Sequence, residues 1–185
     1  MEQHPARKPN RLPNYDYSQI GAYFVTVCVQ DMRCILSRVL PDANGWDAFV
    51  DLTPIGQCVN DVLSEMAEHS PNIRIDRFVI MPNHVHLLIS IVSDASSGAS
   101  GTPLRSASLY KKFAHCPRVP SPPTNTLSRF IGTFKRFTQK SCGQKIWQRG
   151  FHDHVIRDDD DFRLRWRYID ENPRKWFMGK DAYYG

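Results

Sequence analysis

Four residues in this 185-residue chain have types and spacings that can do chemistry together. His84 and His86 stand two apart in the apolar run VIMPNHVHLLIS, residues 79–90. In an extended strand such positions point to the same face. Two imidazoles projecting together are a half-site for a divalent metal. A bare His-x-His pair is more often two packed imidazoles, but the tight Met-Pro-Asn connection before it fixes the strand's register and favours the metal. Tyr168 and Asn172 stand four apart in RYIDENPRKW, one turn apart on one face of a helix. The Asn172 amide can offer its oxygen to a metal, and a deprotonated tyrosine phenol is a covalent nucleophile. A tyrosine on a final helix otherwise serves packing. Pro173 disfavours helical geometry at Asn172 and is expected to end the helix there.

The elements that must position these residues can be read from periodicity. AYFVTVCVQ, residues 22–30, alternates and is β-branched and aromatic, so it reads as a strand. Residues 33–51 read as a loop with at most a short strand. Thr53 and Pro54 form a helix start, and Ile55, Val59, Val62, Leu63 and Met66 share a helical face. IRIDRFVI, residues 73–80, is a second strand and HVHLLISIV, residues 84–92, a third. TLSRFIGTFKRFTQK is a second helix with an apolar stripe of Leu127, Ile131, Phe134 and Thr138, and a polar face of Arg129, Thr133, Arg136 and Lys140. IWQRGFHDHVIR, residues 146–157, reads as a fourth strand. The last helix starts in DDDDF, with acids at its positive end and Phe162, Trp166 and Ile169 as its packing stripe. The order predicts an α+β fold: a ferredoxin-like βαββαβ antiparallel sheet with an added C-terminal helix.

That order places the third strand centrally and the fourth at an edge. A second pair, His152 and His154, lies on the edge strand and invites the same geometric argument. The central pair is favoured for the metal. His154 is left as an accessory residue, lining the same floor or touching a phosphate, or else as a packed or surface side chain.

Composition bounds the rest. One domain is expected, with a basic arm over residues 1–20 and a flexible Ser/Pro/Gly-rich insertion over 94–125. No apolar h-region opens the chain and no apolar run is long enough to cross a bilayer, so a cytoplasmic protein is expected, at the nucleoid when bound to DNA. The five cysteines are scattered, without a Cys-x-x-Cys, and read as reduced packing residues. Net charge is +5. Between Gly101 and Arg157 stand eleven Lys or Arg (105, 111, 112, 118, 129, 135, 136, 140, 145, 149, 157) and one acid, Asp153. Such an imbalance fits a polyanion, most simply nucleic acid, or a solvated basic surface.

Three motifs in order, MPNHVHLL, IWQRGFHDHVIR and RYIDENPRKW, resemble the REP-associated tyrosine transposases, the IS200-like branch of the HUH single-strand nucleases. RLPNYDYSQIGAYFVTVCVQ and TLSRFIGTFKRFTQK are similar to family patterns too. The resemblance implies that His84 and His86 bind Mg²⁺ or Mn²⁺, that Asn172 completes the metal site, and that Tyr168 is the catalytic tyrosine. It implies cleavage and rejoining of hairpin-flanked single-stranded DNA through a 5′-phosphotyrosine. Arg11, Arg129, Arg136, Lys140 and Arg149 would hold the DNA backbone, and Trp147, Phe151 or arm aromatics would stack on bases. The stop expected at Asn172-Pro173 and the short RDDDD connection both favour a last helix that serves its own subunit, hence a competent monomer. Three rivals stay open at this stage: a non-catalytic RRM-like nucleic-acid-binding protein, a phosphodiesterase using both His-x-His pairs, and a domesticated nuclease that processes chromosomal repeats.

Overall fold

Alternation along the strand-forming runs builds one sheet with two different faces. The computed structural model describes residues 15–92 and 126–179; Arg11, the insertion over 94–125 and Cys116 lie outside the described residues. In chain order the strands are β1 (Gly21–Cys28), β2 (Ser37–Pro41), β3 (Ala48–Leu52), β4 (Ile73–Ile80), β5 (His84–Ile91) and β6 (His152–Val155). The helices are α1 (Pro54–Glu68), α2 (Thr126–Ser141) and α3 (Asp159–Phe177). β4, β5, β1 and β6 form a four-stranded sheet in that order, antiparallel throughout, while β2 and β3 pair apart from it as a hairpin.

The larger core lies on one face. Tyr23, Val25 and Val27 of β1 and Val85, Leu87 and Ile89 of β5 meet Val59, Val62, Leu63 and Met66 of α1 and Leu127, Phe130, Ile131 and Phe134 of α2. The smaller core lies on the other face, where Phe24, Leu88 and Ile169 pack under α3 with Phe162 and Tyr168 beside them. β5 is buried along its whole length because both of its faces are covered. That explains its largely apolar character; Ser90 is satisfied by the Asp76 carboxylate, which leaves the two imidazoles to be accounted for.

α1 begins as read from the sequence. Thr53 Oγ1 accepts from Gly56 N at 3.1 Å and donates to Leu36 O at 3.0 Å. Gly56 packs so close to the Leu36 carbonyl that an added methyl would meet its oxygen well inside van der Waals contact. Gly56→Ala is therefore expected to destabilise by about 3 kcal/mol, seen as a lower urea midpoint at unchanged m-value.

The structure departs from the sequence reading in four places. Residues 33–51 contain a hairpin, closed by a turn in which Asp42 Oδ1 accepts from Trp46 N and Asp47 N at 2.9 and 3.1 Å. The fourth strand spans only His152–Val155. Upstream, Trp147 keeps a lone bridge to Val29, and the intervening loop bends away because Lys135 Nζ donates to the carbonyls of Gln148 and Gly150. Trp166 is 37% exposed, so the packing stripe of the last helix is Phe162, Ile169 and Tyr168 instead. Finally, α3 runs through Pro173 to Phe177. Proline forfeits one backbone bond there, but Asn172 and Pro173 are both buried, and that packing outweighs local preference.

The four described cysteines are free thiols, with Cys58 and Cys142 in sulfur contact at 2.9 Å. Among the described residues no helix is long and apolar enough to cross a membrane.

Candidate functional site

β5 supplies the floor of the site and α3 its roof. Register sets the floor: Thr26 pairs with His86 and Cys28 with His84 on one side of β1, and Phe24 with His154 and Thr26 with His152 on the other. Directly paired residues share a sheet face. All four histidines singled out in the sequence therefore stand on the face that α3 covers.

The central pair converges. His84 Nε2 lies 2.9 Å from His86 Nε2, with ring centroids 4.4 Å apart. Each Nδ1 has its own partner: His84 Nδ1 donates to Asn83 Oδ1 at 2.6 Å, and His86 Nδ1 lies 2.8 Å from Thr26 Oγ1. With both Nδ1 atoms protonated, both Nε2 lone pairs point into one spot. Such outer partners fix the tautomer and aim of a metal-binding imidazole. Burial holds both rings neutral, pushing His84 down to about 4 and His86 well below the usual imidazole range, where His84 adds to the effect.

α3 lays three residues along this pair at four-residue spacing. The Tyr168 ring sits edge-on to His86 at 5.2 Å and to Phe24 at 5.7 Å. Trp176 lies 6.1 Å from His84. Asn172 falls midway on the same helix face and is fully buried, yet neither Oδ1 nor Nδ2 has a hydrogen-bond partner. Leaving a buried amide unsatisfied costs about 1–3 kcal/mol per group, so this one asks for a ligand. Two convergent imidazole nitrogens and an orphaned amide fit a divalent cation. Among the described residues no cluster of three His, Cys, Asp or Glu side chains is arranged to hold one; the two imidazoles and the amide are themselves neutral donors.

The neutral pair has a pH signature. In the unfolded chain both histidines protonate near pH 6.5, whereas in the folded chain they do so only at lower pH. The unfolded state binds more protons in that window, so stability falls as pH drops from about 6.5 toward 4. His84 alone accounts for roughly 3 kcal/mol of that fall. Urea melts between pH 7 and 5 should show the slope, and His84→Gln should flatten it.

Other predicted residues are placed apart from this centre. Arg129, Arg136 and Lys140 are exposed on α2, which packs on the opposite face of the sheet from α3. Arg149 is exposed on the connection into β6. Trp147 and Phe151 are 2% and 8% exposed, so they belong to the core and are withdrawn from base stacking. Tyr17 of the arm is buried likewise, in contact with Tyr15 and Tyr23. His154 engages α3, with Nε2 2.7 Å from Asp161 Oδ2.

Sequence reasoning missed Thr26, Asn83, Asp161, Arg165 and Trp176. Thr26 had a signal, as the one aliphatic hydroxyl in an apolar alternating strand. Asn83 was read only as a turn residue. Asp161 is one of four successive aspartates, and only the fold separates it from the other three.

No family model matches the chain. An "Uncharacterized protein" of Haemophilus influenzae (strain ATCC 51907 / DSM 11121 / KW20 / Rd) is 28% identical over 177 residues, covering 92% of this chain and 89% of that protein. A "Putative REP-associated tyrosine transposase" of the same organism is 28% identical over 167 residues, covering 89% of this chain and 77% of that protein. In fold, the chain is similar to a REP-associated tyrosine transposase solved bound to a REP hairpin, with a TM-score of 0.57 at 20% identity over 90% of this chain and 73% of that one. Likeness of sequence along most of the chain and likeness of fold point the same way: the chain is similar in sequence to a putative REP-associated tyrosine transposase and in fold to a solved one.

Proposed function

We propose that this chain is a metal-dependent single-stranded DNA endonuclease and strand transferase that cuts and rejoins hairpin-flanked DNA through Tyr168. The observation that carries the reading is the meeting of α3 with β5. One helix face brings Tyr168 beside His86 and Trp176 beside His84, with the buried, unpartnered Asn172 amide midway between them on that face and the two imidazole nitrogens converging on the strand below. The strand order β4-β5-β1-β6 fits the ferredoxin-like plan, with α3 added to the sheet's second face.

His84, His86 and Asn172 would hold Mg²⁺ or Mn²⁺. When bound, the ion polarises the scissile phosphate and offsets charge developing on it. The neutral donor set makes binding weak until a phosphate contributes its own charge. Tyr168 Oη attacks phosphorus; the bond from phosphorus to the 3′ oxygen breaks, and that oxygen leaves as a 3′-OH with a proton. The 5′-phosphotyrosine keeps the bond energy, so a 3′-OH of another end can attack it and rejoin strands without ATP. His84, His86 and Phe24 are buried, and the rings of Tyr168 and Trp176 stand beside them. The reading makes the chain competent as a monomer, because a single subunit supplies both elements.

An RRM-like binding module is disfavoured, because α3 covers the sheet face on which such a module would stack bases. The two-pair phosphodiesterase keeps one supporting observation, the shared face of all four histidines. Incubation with hairpin-flanked single-stranded DNA and Mn²⁺ separates the classes. A denaturant-resistant protein–DNA adduct is expected, with the modified peptide mapping to Tyr168. Cleavage without an adduct, or an adduct at Tyr110, Tyr183 or Tyr184, overturns the proposal.

The cations of α2 lie across the sheet from Tyr168, so they act on a different part of the substrate, the hairpin stem. Arg136→Glu with Lys140→Glu is expected to weaken DNA binding tenfold or more, on the order of one to two lost phosphate contacts at moderate salt. The adduct rate at saturating DNA should be unchanged, and the salt slope of affinity shallower. An unchanged slope removes α2 from the DNA surface.

A further inference from the structure

α3 must be held at a fixed height over β5 for Tyr168 and Asn172 to work, yet its apolar docking surface is small. A polar cluster at its N-terminal end has no part in the chemistry described so far. His154 Nε2 lies 2.7 Å from Asp161 Oδ2, and Arg165 Nε donates to Asp161 Oδ1 at 3.1 Å. Arg165 Nη2 lies 3.4 Å from His154 Nε2. The Arg165 guanidinium rests over the Phe24 ring at 5.6 Å, and Phe24 stacks on His86 at 5.0 Å. A continuous set of contacts thus leads from the β6 edge through Asp161 and Arg165 to the ring that flanks both His86 and Tyr168.

Helix capping leaves Asp161 available for this. Its backbone N–H is satisfied by the Asp158 side chain at 2.8 Å, so its carboxylate is spent wholly on His154 and Arg165. Burial alone would raise the Asp161 carboxyl, but the hydrogen bonds from His154 and Arg165 outweigh it and hold the group ionised. The Asp161 side chain is 17% exposed, and those of Arg165 and His154 are 29% and 41% exposed, so water screens the pairing in part and its geometry matters more than its charge. Arg165 is three residues before Tyr168, which places the two on adjacent turns of one face.

We infer that His154, Asp161 and Arg165 form a positioning clamp that docks α3 on β6 and sets the distance between Tyr168 and the His84/His86 pair. The inference rests on the reading of Tyr168 as nucleophile. It assigns His154 a role through the helix, without contact to phosphate or metal. It also gives a reason for a second histidine pair in which one member is oriented by a carboxylate.

The test compares His154→Ala with His154→Gln, whose side-chain amide can still donate to Asp161. A 1 Å displacement of a reacting group can cost on the order of 100-fold in rate. His154→Ala is expected to lower single-turnover adduct formation at saturating DNA by about ten- to a hundredfold, with half-saturating DNA shifted less than about twofold. His154→Gln should restore most of the rate. Hydrogen exchange over residues 160–170 should quicken in His154→Ala and not in His154→Gln, while β1 and β5 stay protected. A loss confined to half-saturation means that His154 touches DNA, and Gln as poor as Ala means that the imidazole itself acts; either overturns the clamp. If the unaltered chain forms no Tyr168 adduct, the functional reading has failed. The exchange arm then decides the clamp alone, and unchanged protection in His154→Ala rejects it.

Discussion

Tyr168→Phe protein should bind a hairpin-flanked single strand as tightly as the unaltered chain and form no covalent adduct with it. The substitution removes one oxygen. The ring keeps its edge-on contacts with His86 and Phe24, and Lys175 Nζ keeps its place 5.3 Å over that ring, so α3 stays docked and Asn172 stays where it is. What is lost is the atom proposed to attack phosphorus, and no other described tyrosine lies beside the imidazole pair. A fall of about 10⁴-fold or more is expected, equivalent to about 5.5 kcal/mol in the barrier. Denaturing gels and single-turnover cleavage read it directly. Cleavage at the rate of the unaltered chain would turn the reading toward hydrolysis by the four histidines.

The second large effect belongs to the floor. His86→Ala removes one of two converging nitrogens and leaves Thr26 Oγ1 without its partner at 2.8 Å. Mn²⁺ binding, followed by calorimetry or by electron paramagnetic resonance, should become undetectable. Cleavage should fall about 10³-fold or more, as for removal of a group that stabilises transition-state charge. Chelation should do the same to the unaltered chain. His86→Ala also empties a fully buried position, so stability must be followed alongside. Thr26→Val supplies the gentler arm: it keeps the volume, frees His86 Nδ1, and should weaken Mn²⁺ binding about 10- to 100-fold. Cleavage by His86→Ala protein in EDTA would end the metal assignment.

Much of this was legible before the fold, and the rest was hidden for identifiable reasons. The strands carrying Tyr23 to Val27 and Val85 to Ile91 declare themselves by side-chain type, and the α1 and α2 stripes by their period. The His84/His86 and Tyr168/Asn172 pairs declare themselves by local spacing, because strand and helix geometry alone put each pair on one face. Their meeting is not local. It depends on α3 crossing the second face of the sheet, which no periodicity of the helix specifies. The stop expected at Pro173 failed for the same reason: burial of Asn172 and Pro173 is a tertiary gain that a dipeptide preference does not contain. The fourth strand is short where Lys135, thirteen residues back on α2, takes the Gln148 carbonyl, a pairing that no strand periodicity announces. Trp147 looked like a stacking platform by type, and only the fold shows its indole donating to Thr138 Oγ1 at 2.6 Å inside the core.

The two cores are unequal, and this bears on how the protein fails when warmed. The face under α1 and α2 buries roughly two dozen apolar side chains, whereas α3 seats its Ile169 on Phe24 and Leu88. Cooperative units in one domain open with separate free energies, and the unit with least buried surface opens first. Release of α3 is then a sub-global event that leaves the sheet, α1 and α2 folded. With the proposed nucleophile and amide ligand both on that one unit, heat inactivation is expected to precede melting and to reverse on cooling. A bound cation or DNA strand, gripping α3 from the site side, raises the inactivation temperature by mass action and leaves the main transition almost where it was.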